Sequence, residues 1–262
     1  MPNRETSAVI EKTRKVDYDL DKKLSSDYAL LKSEITSEKL DAREEEIQAN
    51  VKEINQSKSM AAYYKPAEQV GGDYLNLREV NGSLLLIVGD FESHGDQGAL
   101  IREAALTDIL EVQGKDGKTI DPSKKLKASS YIDALDKKME EVLNKKSVAA
   151  IGAYEINKSE RTIKLTSQGT HLFRIQPEAE NPTDYVKISG VPIGTGMRRD
   201  EYSKELSFDK GEIAFITTDG LEDSLGVKKD NLGDILDEFI SSQEKTSTPQ
   251  TIEHSFIELL NL

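Results

Sequence analysis

Hydrophobic and polar positions follow two different regimes along this chain. From Leu20 to Ser57 there is no Pro or Gly, and Leu24, Tyr28, Leu31 and Ile35 recur at a 4-3-4 spacing. After a polar break, Leu40, Ile47, Val51 and Ile54 resume at 7-4-3. A narrow apolar stripe of this kind, flanked by Glu and Lys, predicts helix that lies in a two-helix seam or against a neighbouring surface. The register shift between the halves argues against one uninterrupted coiled coil. Residues 1–19 are polar and read as a flexible tail. Residues 20–58 read as a helical linker and candidate dimerisation segment, and 59–262 as the main domain.

From Met60 onward the pattern changes to short apolar runs separated by turn residues. Leu75–Val80 and Ser83–Gly89 flank Asn81-Gly82, a strong hairpin signal. The second run is continuously apolar, as expected of a strand covered on both faces. Gly98–Val112 and Tyr131–Leu143 read as helices. Strand-like runs follow at Val148–Ile156, Thr162–Ser167, His171–Ile175, Tyr185–Ser189, Glu201–Ser207 and Glu212–Thr218, and helix-like runs at Leu232–Ile240 and Thr251–Leu260. Helices set between an early hairpin and a long strand series predict an α+β fold with antiparallel sheets.

Composition narrows the function. The 262 residues carry a net charge of −13, which repels nucleic acid and anionic lipid. Neither is expected as a partner. Cysteine is absent, so disulfides, thiolate catalysis and cysteine–zinc sites are excluded. Neither a leader-like apolar stretch nor a run of about 20 apolar residues occurs, and the expected location is cytoplasmic.

Three aspartates sit at the ends of expected strands: Asp73 in QVGGDYL, Asp90 in SLLLIVGD and Asp219 in EIAFITTDG. A single Asp-Gly after a strand ordinarily caps a turn. Three of them, each beside glycine, suggest carboxylates that rigid strands hold close together. Such crowding is costly unless cations offset it, and hard ions such as Mg²⁺ and Mn²⁺ take oxygen ligands of this type. Two ions about 3.5–4 Å apart suit in-line attack on a phosphoryl group.

Five motifs give this pattern a family resemblance. Tyr64-Lys65-Pro66-Ala67-Glu68-Gln69-Val70-Gly71-Gly72-Asp73-Tyr74 resembles the P-x-x-x-x-G-G-D-[FY] opening of the metal-dependent (type 2C-like, PPM) protein phosphatases of SpoIIE/RsbU type. Gly89-Asp90-Phe91-Glu92-Ser93-His94-Gly95, followed by Ala99-Leu100, is similar to their G-D-V-x-G-H-G-x-x-A-A-L. Ser167-Gln168-Gly169-Thr170 stands in the place of A-x-A-G-H, and Val191-Pro192-Ile193-Gly194 resembles the P-L-G loop. Thr217-Thr218-Asp219-Gly220-Leu221-Glu222-Asp223 resembles Y-T-D-G-V-x-E.

The resemblance implies a four-layer α-β-β-α sandwich of two antiparallel sheets with an N-terminal helical extension. It also implies a serine/threonine phosphatase that hydrolyses phosphoserine or phosphothreonine by attack of metal-bound hydroxide. Two Mn²⁺ or Mg²⁺ ions would be held by Asp90, the backbone carbonyl of Phe91 and Asp219, with Asp73 beside them. Gly72, Gly89, His94, Gly95 and Gly220 would shape the loops. The implied substrate is a phosphorylated signalling protein such as an anti-sigma-factor antagonist, and the N-terminal helix is a candidate homodimer contact.

The chain departs from the family pattern at two places. No D-D-[IM]-T strand follows Asp219, which leaves one expected ligand missing and the second ion weak, and Ser93 replaces a glycine. Asp96 is a candidate compensating carboxylate, and Lys65 could attract phosphate. Arg198-Arg199 reads as an exposed loop pair, and His171 and His254 as ordinary strand and helix positions. These departures leave a second reading open: a degenerate phosphatase that binds partners without turnover.

Overall fold

The computed structural model describes residues 35–57, 59–66, 71–80, 82–92, 95–106, 128–143, 147–176, 179, 183–186, 190–195, 203–227 and 229–242. The expected tail at 1–19, the first helical stretch at 20–34 and the helix at 251–260 lie outside these residues.

Helix α1 spans Ser37–Asn55, with Glu38 in its first turn and Lys52 in its last, both favourable to the helix dipole. Strands β1 (Asp73–Val80) and β2 (Ser83–Phe91) form the expected hairpin. Gly82 adopts φ 77°, the left-handed geometry that tight hairpin turns demand and that glycine supplies without steric cost. Helices α2 (Gly95–Leu106) and α3 (Ala128–Leu143) follow. Then come β3 (Ala149–Asn157), β4 (Thr162–Gln168), β5 (His171–Ile175), β6 (Thr183–Tyr185), β7 (Ser203–Ser207) and β8 (Ile213–Thr217). Helices α4 (Gly220–Leu225) and α5 (Lys229–Ser242) end the described chain.

The strands form two antiparallel sheets, one ordered β1-β2-β3-β4-β7 and the other β6-β5-β8. Side chains alternate between the faces of a strand, and the alternation sorts the core into layers. Leu85, Ile87 and Phe91 of β2 pack with Ile101, Ile132, Leu135 and Met139 of α2 and α3. The intervening Leu86 packs on the opposite face with Tyr154, Leu165 and Leu172, joined by Val88, Ala214 and Ile216, between the two sheets. Phe173, Ile175, Ile213 and Phe215 turn to the outer face of the small sheet, where Leu232, Leu236, Phe239 and Ile240 of α5 cover them. The architecture is the expected α-β-β-α sandwich.

Helix α1 packs against this sandwich over its length. Ile47 joins the cluster under α2 and α3, Ile54 the cluster between the sheets, and Leu40 meets Ala99, Leu100 and Ala104 of α2.

Several elements differ from the sequence reading, the unexpected α4 among them, and two shifts are the clearest. Strand β6 occupies Thr183–Tyr185 rather than Tyr185–Ser189, because Tyr185 pairs with Phe173 and the ladder runs back from there to Thr183. Helix α2 starts at Gly95, one turn before Gly98, directly after the loop that follows Asp90.

Candidate metal centre

Asp73 opens β1 and Asp90 lies near the end of β2, and the hairpin register sets them opposite each other. The amide of Phe91 donates to the carbonyl of Gly72 at 3.2 Å. Gly72 and Phe91 therefore form a hydrogen-bonded pair, which makes Asp73 and Asp90 the narrow pair beside it, with Cα atoms about 4.5 Å apart. Like charges directly opposite destabilise a sheet. Both lie in phase with Leu75, Leu77, Leu86 and Val88, so their side chains enter the gap between the sheets. Opposite Asp90 on β3 stands Ala150, whose small side chain leaves room there.

The second sheet reaches the same place from the other side. Thr218 continues the phase of Ala214 and Ile216, and its hydroxyl donates to Asp73 Oδ1 at 3.3 Å. Asp219 follows directly, exposed at the rim. Burial pushes the Asp73 carboxyl up from 3.8 to about 6. The Thr218 hydrogen bond opposes this rise, the charge of Asp219 adds to it, Arg102 opposes it and Glu44 adds to it.

A shell of polar groups holds Asp73 from behind. Arg102 on α2 donates through Nη1 to the Asp73 carbonyl at 3.0 Å and to Glu44 Oε1 of α1 at 2.7 Å. Glu44 also accepts from the Gly71 amide at 3.3 Å and from the Tyr64 hydroxyl at 2.7 Å. Burial and the neighbouring Glu44 push the Tyr64 hydroxyl well above its ordinary value.

Two glycines answer to close packing. A Cβ on Gly89 would meet Ile151 Cδ1 at 2.1 Å, so a larger residue before Asp90 would have to displace the end of that side chain. Gly194 adopts φ 83°, and a Cβ there would meet the Ser147 carbonyl at 2.3 Å. The amide of Gly194 donates to Asp136 of α3 at 2.7 Å, and Ile193 exchanges backbone hydrogen bonds with Ala149 at 2.9 and 3.2 Å. The Pro192-Ile193-Gly194 loop is thus fixed beside the start of β3.

The sequence-derived candidates separate by where the structure places them. Asp73 and Asp90 meet, and the charge of Asp219 reaches Asp73. Phe91, Gly72, Gly89 and Gly220 lie on the same strand ends and turns, while Gly95 starts α2. Lys65 is exposed with no described tie to the aspartates. His94, Ser93, His254, Arg198, Arg199 and the side chain of Asp96 lie outside the described residues. His171 is more than an ordinary strand position: its Nε2 lies 3.0 Å from Glu222 Oε1 and its Nδ1 lies 3.5 Å from the Tyr185 hydroxyl. Thr218, Arg102 and Glu44 were not singled out from sequence as site residues. The one visible signal was an arginine inside the apolar stripe ALIREAAL.

Two half-buried aspartates opposite each other in register, with the charge of a third acting on one of them, match in kind the oxygen donors that Mg²⁺ and Mn²⁺ take. Among the described residues, no three His, Asp or Glu side chains are already drawn together as a ligand cluster.

The Stage II sporulation protein E (SpoIIE) family model matches residues 81–261, a span that includes Asp90 and Asp219 and begins after Asp73. The chain belongs to the SpoIIE family. No curated protein matches it. Its fold is that of type 2C phosphatase domains. The SiaA-PP2C domain of Pseudomonas aeruginosa shares it with TM-score 0.58 and 20% identity, covering 76% of this chain and 75% of that one. The phosphatase domain and regulatory fragment of SpoIIE from Bacillus subtilis matches with TM-score 0.54 and 13% identity, over 77% of this chain and 59% of that one. RsbX in complex with magnesium matches with TM-score 0.52 and 16% identity, over 75% and 83%. The SpoIIE-family chain thus carries the family fold, with Asp73 and Asp90 placed at one end of the gap between its sheets. Among the described residues no helix is long and apolar enough to cross a membrane.

Proposed function

We propose that this protein is a metal-dependent serine/threonine phosphoprotein phosphatase of bacterial signalling. The supporting observation is the narrow Asp73–Asp90 pair, met across the intersheet gap by Thr218 and the charge of Asp219. Asp90, Asp219 and the Phe91 carbonyl would hold Mn²⁺ or Mg²⁺, with Asp73 binding directly or through water. A second ion would be weaker for want of a fourth carboxylate. A bound divalent cation supplies Lewis-acid polarisation and neutralises charge at the phosphoryl group.

The chain's own groups orient that site. The Thr218 hydroxyl fixes Oδ1 of Asp73. The Gly89–Ile151 contact sets the backbone leading into Asp90. Gly72, Gly95 and Gly220 shape the surrounding loops, and Lys65 would draw anionic substrate. The likeness to SpoIIE-type domains supports a phosphorylated signalling protein as substrate, with an anti-sigma-factor antagonist the first candidate, acting in the cytoplasm. Pairing through the N-terminal helix would make the protein a homodimer.

The test is release of phosphate from a phosphoserine peptide with and without Mn²⁺. Metal-stimulated release that is abolished in Asp90→Asn supports the proposal; equal release from both proteins, or none with metal present, contradicts it. A partner-binding module without turnover is the second reading. It is favoured by the absence of a preformed three-donor cluster among the described residues. Saturable phosphopeptide binding without phosphate release would establish it.

A further inference from the structure

Arg102 is the largest fully buried side chain among the described residues, with no side-chain exposure. A buried guanidinium is costly unless its charge and its donors are satisfied. Its Nη1 is satisfied twice, by Glu44 Oε1 at 2.7 Å and the Asp73 carbonyl at 3.0 Å, while Nε and Nη2 have no hydrogen-bond partner among the described residues. Its two hydrogen bonds tie a carboxylate of α1 to the backbone of the first residue of β1.

We propose that Arg102 and Glu44 are positioning residues for Asp73, and that α1 is thereby an integral part of the metal centre rather than a linker leading to it. The inference rests on the phosphatase reading for its consequence, but not for its geometry. Arg102 grips the Asp73 backbone, so the side chain opposite Asp90 starts from a fixed point. Glu44 holds Arg102 in turn and receives the Gly71 amide and the Tyr64 hydroxyl, so one carboxylate of α1 orders both the approach to β1 and the arginine behind it. A parallel pair links the same two helices: Arg43 Nε donates to Glu103 at 2.9 Å. Ile47 and Leu40 anchor α1 beneath this network.

The experiment combines amide hydrogen exchange with Mn²⁺ calorimetry on the full chain and on R102M, R102K and E44Q. In R102M, exchange across residues 72–76 should accelerate at least tenfold while β3 keeps its wild-type rate. Mn²⁺ affinity should fall about tenfold, equivalent to about 1.4 kcal/mol. R102K, whose single nitrogen carries three N–H groups, should restore part of both.

The sign separates positioning from charge alone, because deleting a nearby cation without disturbing Asp73 would tighten Mn²⁺ binding. Unchanged exchange at 72–76, or tighter Mn²⁺ binding in R102M, overturns the proposal. If R102M fails to fold, E44Q decides in its place: faster exchange at 72–76 supports the proposal and wild-type exchange overturns it. If the wild-type protein takes up no Mn²⁺ at all, the phosphatase reading falls, and the exchange result still judges Arg102 and Glu44.

Discussion

The Thr218 hydroxyl donates to Asp73 Oδ1 at 3.3 Å, joining residues 145 positions apart at the ends of two different sheets. That bond shows that the intersheet gap closes at the end where the carboxylates gather. Replacing Thr218 by valine keeps the shape and deletes the donor, leaving a buried carboxylate oxygen without it. The expected cost is about 1–2 kcal/mol of stability at neutral pH in metal-free buffer. Urea denaturation of T218V against wild type measures it.

Asp73 also makes stability depend on pH. Its folded carboxyl titrates at about 6 against 3.8 for the ordinary group, so between these values the folded protein keeps a proton that the unfolded chain has lost. Stability of the metal-free protein should fall as pH rises from about 4 to about 6, by up to roughly 3 kcal/mol, and level off above. Asp73→Asn should remove this slope and be the more stable protein at pH 7 without metal. Chelator-treated samples unfolded thermally across this range provide the check.

Gly89 tests the packing behind Asp90. Gly89→Ala brings a Cβ within 2.1 Å of Ile151 Cδ1, the flexible end of a side chain that must then turn away. The expected loss is about 1–3 kcal/mol, and Ile151→Val in the same chain should recover part of it by removing the offending methyl. Melting temperatures of the single and double variants decide the matter.

His171 and Glu222 form a nearly buried pair, 9% and 15% exposed, three residues past Asp219. Removing one partner of a buried polar contact costs roughly 1–3 kcal/mol. His171→Leu should therefore lower the melting temperature by several degrees, and His171→Gln, which keeps a donor in the Nε2 position, should lie between it and wild type. Melting curves of both variants against wild type are the measurement.

Much of this architecture was legible in the chain. Asn81-Gly82 between two apolar runs announces the hairpin, and the unbroken SLLLIVG announces a strand with neighbours on both faces. The true strand ends were less visible, because Asp73 and Asp90 are poor strand formers and extend the ladder only through pairing with each other. Helix α4 has six residues, too few to display a period, and the sequence reading assigns no helix there. Asp90 and Asp219 are legible because each closes an apolar run beside glycine, and Asp73 because it follows two glycines at the start of a strand. Arg102 and Glu44 are not, because their meeting spans 58 residues and local patterning carries no record of so distant a contact.

The central claim is that Asp90 and Asp219, with Asp73 beside them, form a divalent-cation site, and titrating Mn²⁺ into the wild-type protein and into D90N by calorimetry tests it most directly. Saturable uptake by the wild type, weakened at least tenfold in D90N with the fold intact, is the result predicted. Equal uptake by both proteins, or no heat from either, would contradict it.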